Sequence, residues 1–293
     1  MRVSSQQMTD RILTHLARTQ QRLATAQDRV SSGKRIQVPS DDPVDTQRLL
    51  AAKTDIELGQ QYARNINVAL GELSATESSL GEFTNVLSRA SELAVQAANG
   101  TLGSSERVSI AQELSQLIAR AIDVGNTQYA GHYIFSGQLT NTAPYVPDDP
   151  TTPTVVVYAG DTGRIDREVS AGSRISVNIT GDRMDPFATL ITFRDNLLAD
   201  DTGALGLDAG LLNDQLDVML RLRSEIGAVV RRADTSLVRL ADDEVRLRID
   251  LAMIEELDLA QTIVELQMSE TAYEAALGVA ARAMSLSILD FLR

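Results

Sequence analysis

The chain has 293 residues, a hydrophobic content of 43% and a formal net charge of −13. This charge excludes a general nucleic-acid-binding protein, because phosphate backbones are bound by clustered cations. Cysteine and tryptophan are absent and aromatic residues make up only 4%, which excludes disulfides and thiolate chemistry and predicts a core built largely from aliphatic side chains.

The charge is distributed unevenly along the chain. Residues 1–40 hold seven cations against two acids, a net charge of +5, so the remaining residues carry −18. A basic amphipathic start of this kind is typical of a helix that docks on a partner or on a membrane surface. We expect a partner rather than a membrane, because the apolar face lacks Trp and Phe and no run is long and apolar enough to span a bilayer.

The first helical pattern covers residues 8–31. Its apolar side chains, separated by three, four or seven residues on one narrow face, are Ile12, Leu16, Leu23, Ala26 and Val30. Burying each large one contributes roughly 1.5–3 kcal/mol, whereas ordering each backbone unit costs about 1–2 kcal/mol. The helix should therefore need a partner, and we expect that partner to be a similar stripe near the C-terminus.

A helix end and the start of a second helix follow residues 8–31. Gly33 ends it, and Asp42 is placed as the N-cap of a second helix with Pro43 at its first position. Asp41 and Asp42 could suggest a metal site, but acids at a helix start are favoured by the helix dipole and are the better interpretation.

Helical periodicity then covers residues 44–98 and 104–125, and it resumes after Pro186. A pause is predicted over residues 200–210, before one long helical region from Leu211 to the C-terminus, which contains none of the seven prolines. Its apolar stripe, spaced by three, four or seven, is Ile263, Leu266, Tyr273, Leu277, Ala280, Met284 and Phe291. Such a stripe needs a partner helix.

Between the helical parts, the pattern changes at Gln128 to aromatic, glycine-rich and then proline-rich sequence, which excludes a helix. Strands are predicted at residues 154–158, 163–169 and 173–179, joined by hairpin turns at 161–163 and 171–172. The sequence thus predicts a mainly α protein: an elongated antiparallel helical bundle or coiled coil formed by both termini, with a small antiparallel β insertion domain.

Three parts are predicted on this basis. The terminal helices pair over residues 1–38 and 256–293, a helical rod domain spans 39–137 and 188–255, and the β-rich insertion domain covers 138–187.

Sites for catalysis, cofactors or metals are not expected. His15 and His132 lie in different elements, and without cysteine they do not supply the four ligands of a zinc site. The nucleophile elbow of hydrolases and the glycine-rich dinucleotide fingerprint are both missing, and the acidic runs lack calcium-loop spacing. We therefore expect no catalytic residue, no cofactor, no metal site and no enzymatic activity.

Several segments resemble a known family. Residues 31–36 (SSGKRI) resemble the segment after the first helix of bacterial flagellins and their relatives. Residues 254–260 (IEELDLA) are similar to the flagellin element that leads into the last helix, and residues 285–292 (SLSILDFL) look like its closing residues. Residues 38–43 (VPSDDP) and 133–137 (YIFSG) resemble the hook-filament junction branch of this superfamily more than flagellin itself.

The resemblance implies a non-enzymatic axial protein of the bacterial flagellum, which forms the junction between hook and filament and templates flagellin assembly. It implies a ring of identical subunits, with hook-associated protein 1 on the hook side, flagellin on the filament side and a flagellar export chaperone on the C-terminal helix. Neither nucleic acid nor membrane is an expected partner. Export through the flagellar type III apparatus, without a cleaved signal peptide, would place the protein outside the cell; the N-terminal residues indeed lack the apolar core of a signal peptide.

Under this resemblance the terminal helices line a tube, and an assembly interface is assigned to Ile12, Leu16, Leu23, Leu277, Met284, Ile288 and Leu292. The alternative that these residues form only an intrachain coiled-coil core stays open. Two other functions also stay open: flagellin itself, the bulk filament subunit, and a type III secretion tip or translocator protein, which would need an apolar segment for membrane insertion.

Overall fold

The computed structural model describes the backbone of residues 2–99 and 101–291, and the side chains of residue 7, residues 10–99 and residues 101–282. The α-helices in this part of the chain are α1 (Arg2–Ser32), α2 (Pro43–Ala97), α3 (Ser104–Gly125), α4 (Phe187–Leu198), α5 (Thr202–Glu255) and α6 (Leu259–Phe291). The strands are β1 (Gln128–Tyr129), β2 (His132–Tyr133), β3 (Tyr145–Pro147), β4 (Val156–Tyr158), β5 (Asp166–Ser170) and β6 (Ser173–Ser176). Long helices with small antiparallel sheets confirm the predicted fold class.

The strands form three antiparallel hairpins, β1–β2, β3–β4 and β5–β6. The predicted turn at residues 171–172 is confirmed, since Ser170 pairs with Ser173 and Gly172 has a φ of +71°. The hairpin β1–β2 was not predicted; its two-residue turn, Ala130 and Gly131, has positive φ at both positions, as a type I′ turn requires.

The predicted turn at residues 161–163 is wrong. Strand β4 pairs with β3 and not with β5. No strand was predicted at β3, because the prolines of that segment indicated only that it is not a helix. Residues 161–163 instead form a loop held by the Asp161 carboxylate, whose Oδ1 accepts the backbone N–H groups of Gln138 at 2.7 Å and Gly163 at 2.9 Å. A side chain thus supplies the acceptors that a neighbouring strand would otherwise provide.

The predicted pause over residues 200–210 is also wrong, because α5 begins at Thr202 and continues through Gly203, Gly206 and Gly210. Leu205, Asp208 and Leu212 are buried at helical spacing in this first part of α5. Packing of that face outweighs the low helix propensity of glycine, which costs about 1 kcal/mol per residue relative to alanine.

The chain divides into two compact units. The central unit, Leu58–Asp242, holds the larger hydrophobic core, in which α2, α3, α4 and α5 all bury side chains. That core is largely aliphatic, as predicted, but the few aromatic residues are concentrated in one place. Phe83 contacts Phe135 and Phe187 at ring-centroid distances of 6.2 and 6.3 Å, and Tyr145 contacts Phe187 at 4.8 Å.

The terminal unit consists of Met1–Glu57 and Asp243–Arg293. Among its described side chains, the buried hydrophobic ones are Ala26, Ile36, Leu49, Ala52 and Ala280. Three of these five are alanines, which bury little apolar area, so hydrophobic burial within this unit is thin compared with the central unit.

Candidate functional site: the paired terminal helices

Helices α1 and α6 contact each other, as predicted for the two ends of the chain. The less exposed positions of α1, which recur at alternating intervals of four and three, are Ile12, Leu16, Thr19, Leu23, Ala26 and Val30. The equivalent positions of α6, with the same intervals, are Thr262, Leu266, Ser269, Tyr273, Ala276 and Ala280. This spacing is that of the a and d positions of a coiled coil, so the two stripes form the seam of the pair.

The two helices run antiparallel. The segment that follows α1 lies beside the residues that precede α6. The backbone N–H of Arg35 donates to the Glu255 carbonyl oxygen at 2.9 Å, and Lys34 forms an antiparallel bridge with Glu256. Since both helices extend from this point and remain in contact, their directions are opposite.

The Arg35 side chain joins three segments of the terminal unit at this end of the pair. Its Nε donates to the Ile254 carbonyl oxygen at 3.1 Å, and its terminal nitrogens donate to the carboxylates of Asp45 and Asp42. Hydrogen bonding to Asp45, together with Asp42, raises the pKa of the Arg35 guanidinium. The guanidinium is therefore a cross-link between the end of α5 and the start of α2.

Glu255 is the acidic partner in the same cluster. Its Oε1 accepts a hydrogen bond from Lys34 Nζ at 2.6 Å and lies 3.6 Å from Lys53 Nζ. The bond from Lys34 is the main cause of a lowered pKa of the Glu255 carboxyl, with Lys53 adding to it. We call Lys34, Arg35, Asp42, Asp45 and Glu255 the clasp.

The turn that leads into the clasp follows the predicted chemistry. Gly33, with a φ of +67°, closes α1 by donating its N–H to the Arg29 carbonyl oxygen at 2.9 Å. Asp42 Oδ1 accepts the Asp45 N–H at 3.1 Å, which confirms Asp42 as the N-cap of α2. Asp41 binds the backbone instead: it accepts the N–H groups of residues 37 and 38, and these bonds lower the pKa of its carboxyl.

The C-terminal helical region consists of two helices, α5 and α6, with a break at residues 256–258. Helix α6 starts afresh at Leu259, with Asp258 as its cap: the Asp258 carboxylate accepts the Gln261 N–H at 3.1 Å. Among the described residues, no group of three or more histidines or acids is arranged to hold a metal ion, and no helix is apolar over enough length to cross a membrane.

The residues assigned from sequence to the assembly interface fall into three groups. Ile12, Leu16 and Leu23 are half-buried in the α1 seam, whereas Leu277 lies outside the seam of α6 and is 42% exposed. The side chains of Met284 and Ile288, and Leu292 altogether, lie outside the described residues.

The sequence stripe on α6 mixed two faces of the helix. Leu266, Tyr273 and Ala280 are in the seam, but Ile263 and Leu277 are each displaced by one position from the seam residues Thr262 and Ala276. A search for large apolar residues missed these positions because the seam is filled there by Thr, Ser and Ala. The clasp was also missed, although two cations directly after a helix stop and acids at the start of the next helix are a signal for it.

The N-terminal part of the chain is similar to a known family. The model of the bacterial flagellin N-terminal helical region matches residues 3–140. Residues 3–140, slightly less than half of the chain, are thus similar to this region of flagellins. This flagellin region contains α1, the clasp residues up to Asp45, α2, α3 and the hairpin β1–β2, and the match confirms the resemblance seen in the sequence.

Two curated relatives extend the comparison. The chain is 31% identical over 191 residues to flagellar hook-associated protein 3 of Escherichia coli K12, covering 63% of this chain and 56% of the relative. It is 34% identical over 152 residues to the protein of the same name from Salmonella typhimurium LT2, covering 50% of this chain and 46% of the relative. The chain thus spans about half the length of these relatives.

A solved structure agrees on the fold. The flagellar junction protein FlgL from Legionella pneumophila superposes with a TM-score of 0.61 at 16% identity, covering 72% of this chain and 100% of that one. The curated relatives are named as flagellar hook-associated proteins, and the fold is shared with a flagellar junction protein.

Proposed function

We propose that this protein is an axial structural subunit of the bacterial flagellum that acts at the junction between hook and filament. The observation that carries the proposal is the terminal unit: its two helices pair through a seam that contains small and polar residues, while large apolar side chains remain exposed beside it. A helix pair of this kind is completed by neighbouring molecules, whose binding stabilises it by mass action.

The exposed apolar side chains support this proposal. In α6, Met268 is 67% exposed and Val279 59%, and in α1 Leu13 is 45% exposed. Single exposed apolar residues are normal on soluble proteins, but several large ones along the same two helices indicate an interaction surface. At the same time the seam holds Thr19, Thr262 and Ser269, so it buries less apolar area than a seam of leucines does.

Under this proposal the terminal helices, residues 1–38 and 256–293, line a tube. The helical rod, residues 39–137 and 188–255, and the β-rich insertion, residues 138–187, make up the remainder of the chain. Ile12, Leu16 and Leu23 first form the intrachain seam, and Leu277 contacts a neighbouring subunit, because it is exposed outside that seam. Met284, Ile288 and Leu292 are assigned to the same interface on their sequence pattern.

The partners proposed are further copies of this chain in a ring, hook-associated protein 1 on one side and flagellin on the other, whose assembly the ring templates. A thinly buried terminal unit also suits export as an unfolded chain through the flagellar type III apparatus, with an export chaperone on the C-terminal helix until the chain leaves the cell. The protein then functions outside the cell as part of the flagellum.

Flagellin itself is the second candidate, favoured by the family to which the N-terminal region belongs. The names of the curated relatives described above favour the junction protein instead.

Copy number separates the two candidates. Mass spectrometry of sheared flagella, together with immunogold labelling, should find this chain as a trace component at one end of the filament. A chain present along the whole filament in bulk would establish it as flagellin. A chain absent from flagella would overturn the proposal.

A further inference from the structure

One flank of α1 carries a stripe of three arginines and one histidine. Arg11, His15, Arg18 and Arg22 are separated by four, three and four residues, which places them along one side of the helix, and all four are exposed. Within the part of the chain that the structure describes, Arg11, Arg18 and Arg22 take part in no ion pair. We call these four residues the basic stripe.

A flank of α6 carries a stripe of opposite charge with the same helical spacing. Ile263, Gln267, Glu270, Glu274 and Leu277 are separated by four, three, four and three residues, and all are exposed, Ile263 by 45% and Leu277 by 42%. Glu270 and Glu274 form no ion pair with any described residue. We call these five residues the acidic stripe.

The two stripes lie on opposite flanks of the helix pair. His15 and Arg22 each precede a seam residue, Leu16 and Leu23, and so occupy g positions of the coiled-coil repeat. In α6, Glu270 follows the seam residue Ser269 and occupies an e position. In an antiparallel pair the g flanks of the two helices face the same side and the e flanks face the other, so the stripes do not meet within one copy.

We infer that the basic stripe of one copy packs against the acidic stripe of the next copy. The charges are complementary, the three-and-four spacing of the two stripes is matched, and Ile263 and Leu277 at the ends of the acidic stripe provide apolar contact around the charges. Because the two stripes occupy opposite flanks, the contact is heterologous and joins copies side by side, which is the type of interface that closes into rings. This inference rests on the proposed function and identifies the surface through which like subunits recognise each other.

Charge reversal tests the inference in the full-length chain. Arg18→Glu with Arg22→Glu makes both flanks acidic, and Glu270→Lys with Glu274→Lys makes both flanks basic. Sedimentation velocity at low salt should show that each double variant lowers the self-association constant about tenfold or more, because attraction is replaced by repulsion at two contacts. Circular dichroism should show unchanged helix content, since surface substitutions of this kind barely affect stability.

Combining the two pairs of charge reversals restores the complementarity and provides the decisive experiments. The variant with all four substitutions regains complementary flanks, and so does an equimolar mixture of the two double variants; both should associate like the original chain. The matched control is Arg221→Glu with Arg239→Glu, two exposed cations elsewhere on the chain, which should leave association unchanged.

Three outcomes would overturn the inference: no association of the original chain at low salt, double variants that behave like the control, or no recovery in the recombined arms. The copy-number experiment on flagella is independent of these results. A chain located at the junction but insensitive to charge reversal overturns this inference alone, whereas charge-dependent association of a chain absent from flagella overturns the proposed function alone.

Discussion

The backbone N–H of Arg35 donates to the carbonyl oxygen of Glu255 at 2.9 Å, which joins the segment after the first helix to the last residue of α5. Around this bond, Lys34 pairs with Glu255 at the end of α5, and Arg35 pairs with Asp45 in the first turn of α2. The bond sets the point from which α1 and α6 extend together, so the register of their seam depends on it.

Replacing the guanidinium should loosen the terminal unit. In Arg35→Ala, the Ile254 carbonyl oxygen and the Asp42 and Asp45 carboxylates lose their donor, and we expect a loss of about 1–2 kcal/mol in the stability of this unit. Hydrogen exchange should show faster exchange in residues 1–57 and 243–293 and no change in the central unit. Arg48→Ala is the control, because Arg48 is 69% exposed and contacts only Asp45 among the clasp carboxylates, at 3.3 Å. Equal exchange in the two variants would contradict the role given to Arg35.

The terminal unit should lose stability in acid. Hydrogen bonding to Lys34 holds the pKa of Glu255 below its usual value of 4.5, so the folded state favours the ionised carboxylate. A lowered folded-state pKa gives stability that is present above the unfolded-state pKa and is lost as the pH falls through the folded-state pKa. Hydrogen exchange in the terminal unit should thus accelerate below about pH 5, after correction for intrinsic rates. Glu255→Gln should exchange faster at pH 7 and show a weaker dependence on pH; an unchanged pH profile would refute this.

Asp208 in the central unit should behave in the opposite way. The side chain is 2% exposed, its desolvation raises the pKa of the carboxyl, and its hydrogen-bond partner is the Asn196 amide at 3.0 and 3.2 Å. A raised folded-state pKa contributes stability at low pH that is lost as the pH rises through that pKa. Asp208→Asn keeps an acceptor for Asn196 and removes the buried charge, so thermal unfolding at pH 7 should occur at a higher temperature. A lower unfolding temperature at pH 7 would show that the ionised carboxylate stabilises the fold.

Gly125 is predicted to tolerate no side chain. A Cβ at this position would clash with Tyr145 Cδ2 and lie 2.8 Å from Tyr145 Cε2, so Gly125→Ala forces the aromatic cluster to move and should cost about 1–3 kcal/mol. Gly81→Ala is the matched control, because a Cβ there has no neighbour within 4 Å and the residue lies inside α2. Alanine at position 81 should stabilise the protein by about 0.5–1 kcal/mol. Urea unfolding of both variants checks the pair, and equal shifts in the same direction would contradict the packing argument.

Removal of the C-terminal end separates folding from assembly. Deletion of residues 278–293 removes Met284, Ile288 and Leu292 from the proposed interface but no residue of the central unit. The truncated chain should keep the thermal unfolding transition of the central unit and should fail to enter flagella. Motility with normal hook-filament junctions in cells that make only this truncation would refute the interface assignment.

Local signals in the sequence were sufficient for several parts of this protein. The stop at Gly33, the cap at Asp42 and the hairpin β5–β6 depend on the conformations and hydrogen bonds of neighbouring residues, so they are readable without the rest of the chain. The same holds for the family resemblance, which rests on short segments near both termini and is confirmed by the match over residues 3–140.

Only the tertiary structure decided which face of α6 is the seam, that β4 pairs with β3, and that residues 202–210 are helical. In each case the deciding partner is distant in sequence. The seam against α1 contains Thr262, Ser269 and Ala276, whereas the more apolar Ile263 and Leu277 lie outside it. At the start of α5, core packing stabilises the helix in spite of three glycines. Hydrophobicity measures how much free energy the burial of a side chain contributes. Which side chains face the partner helix is decided by the surface of that helix. The sequence by itself therefore determined the helices other than residues 202–210 and the family that the chain resembles. The packing of α1 against α6 determined which residues are left outside for other molecules.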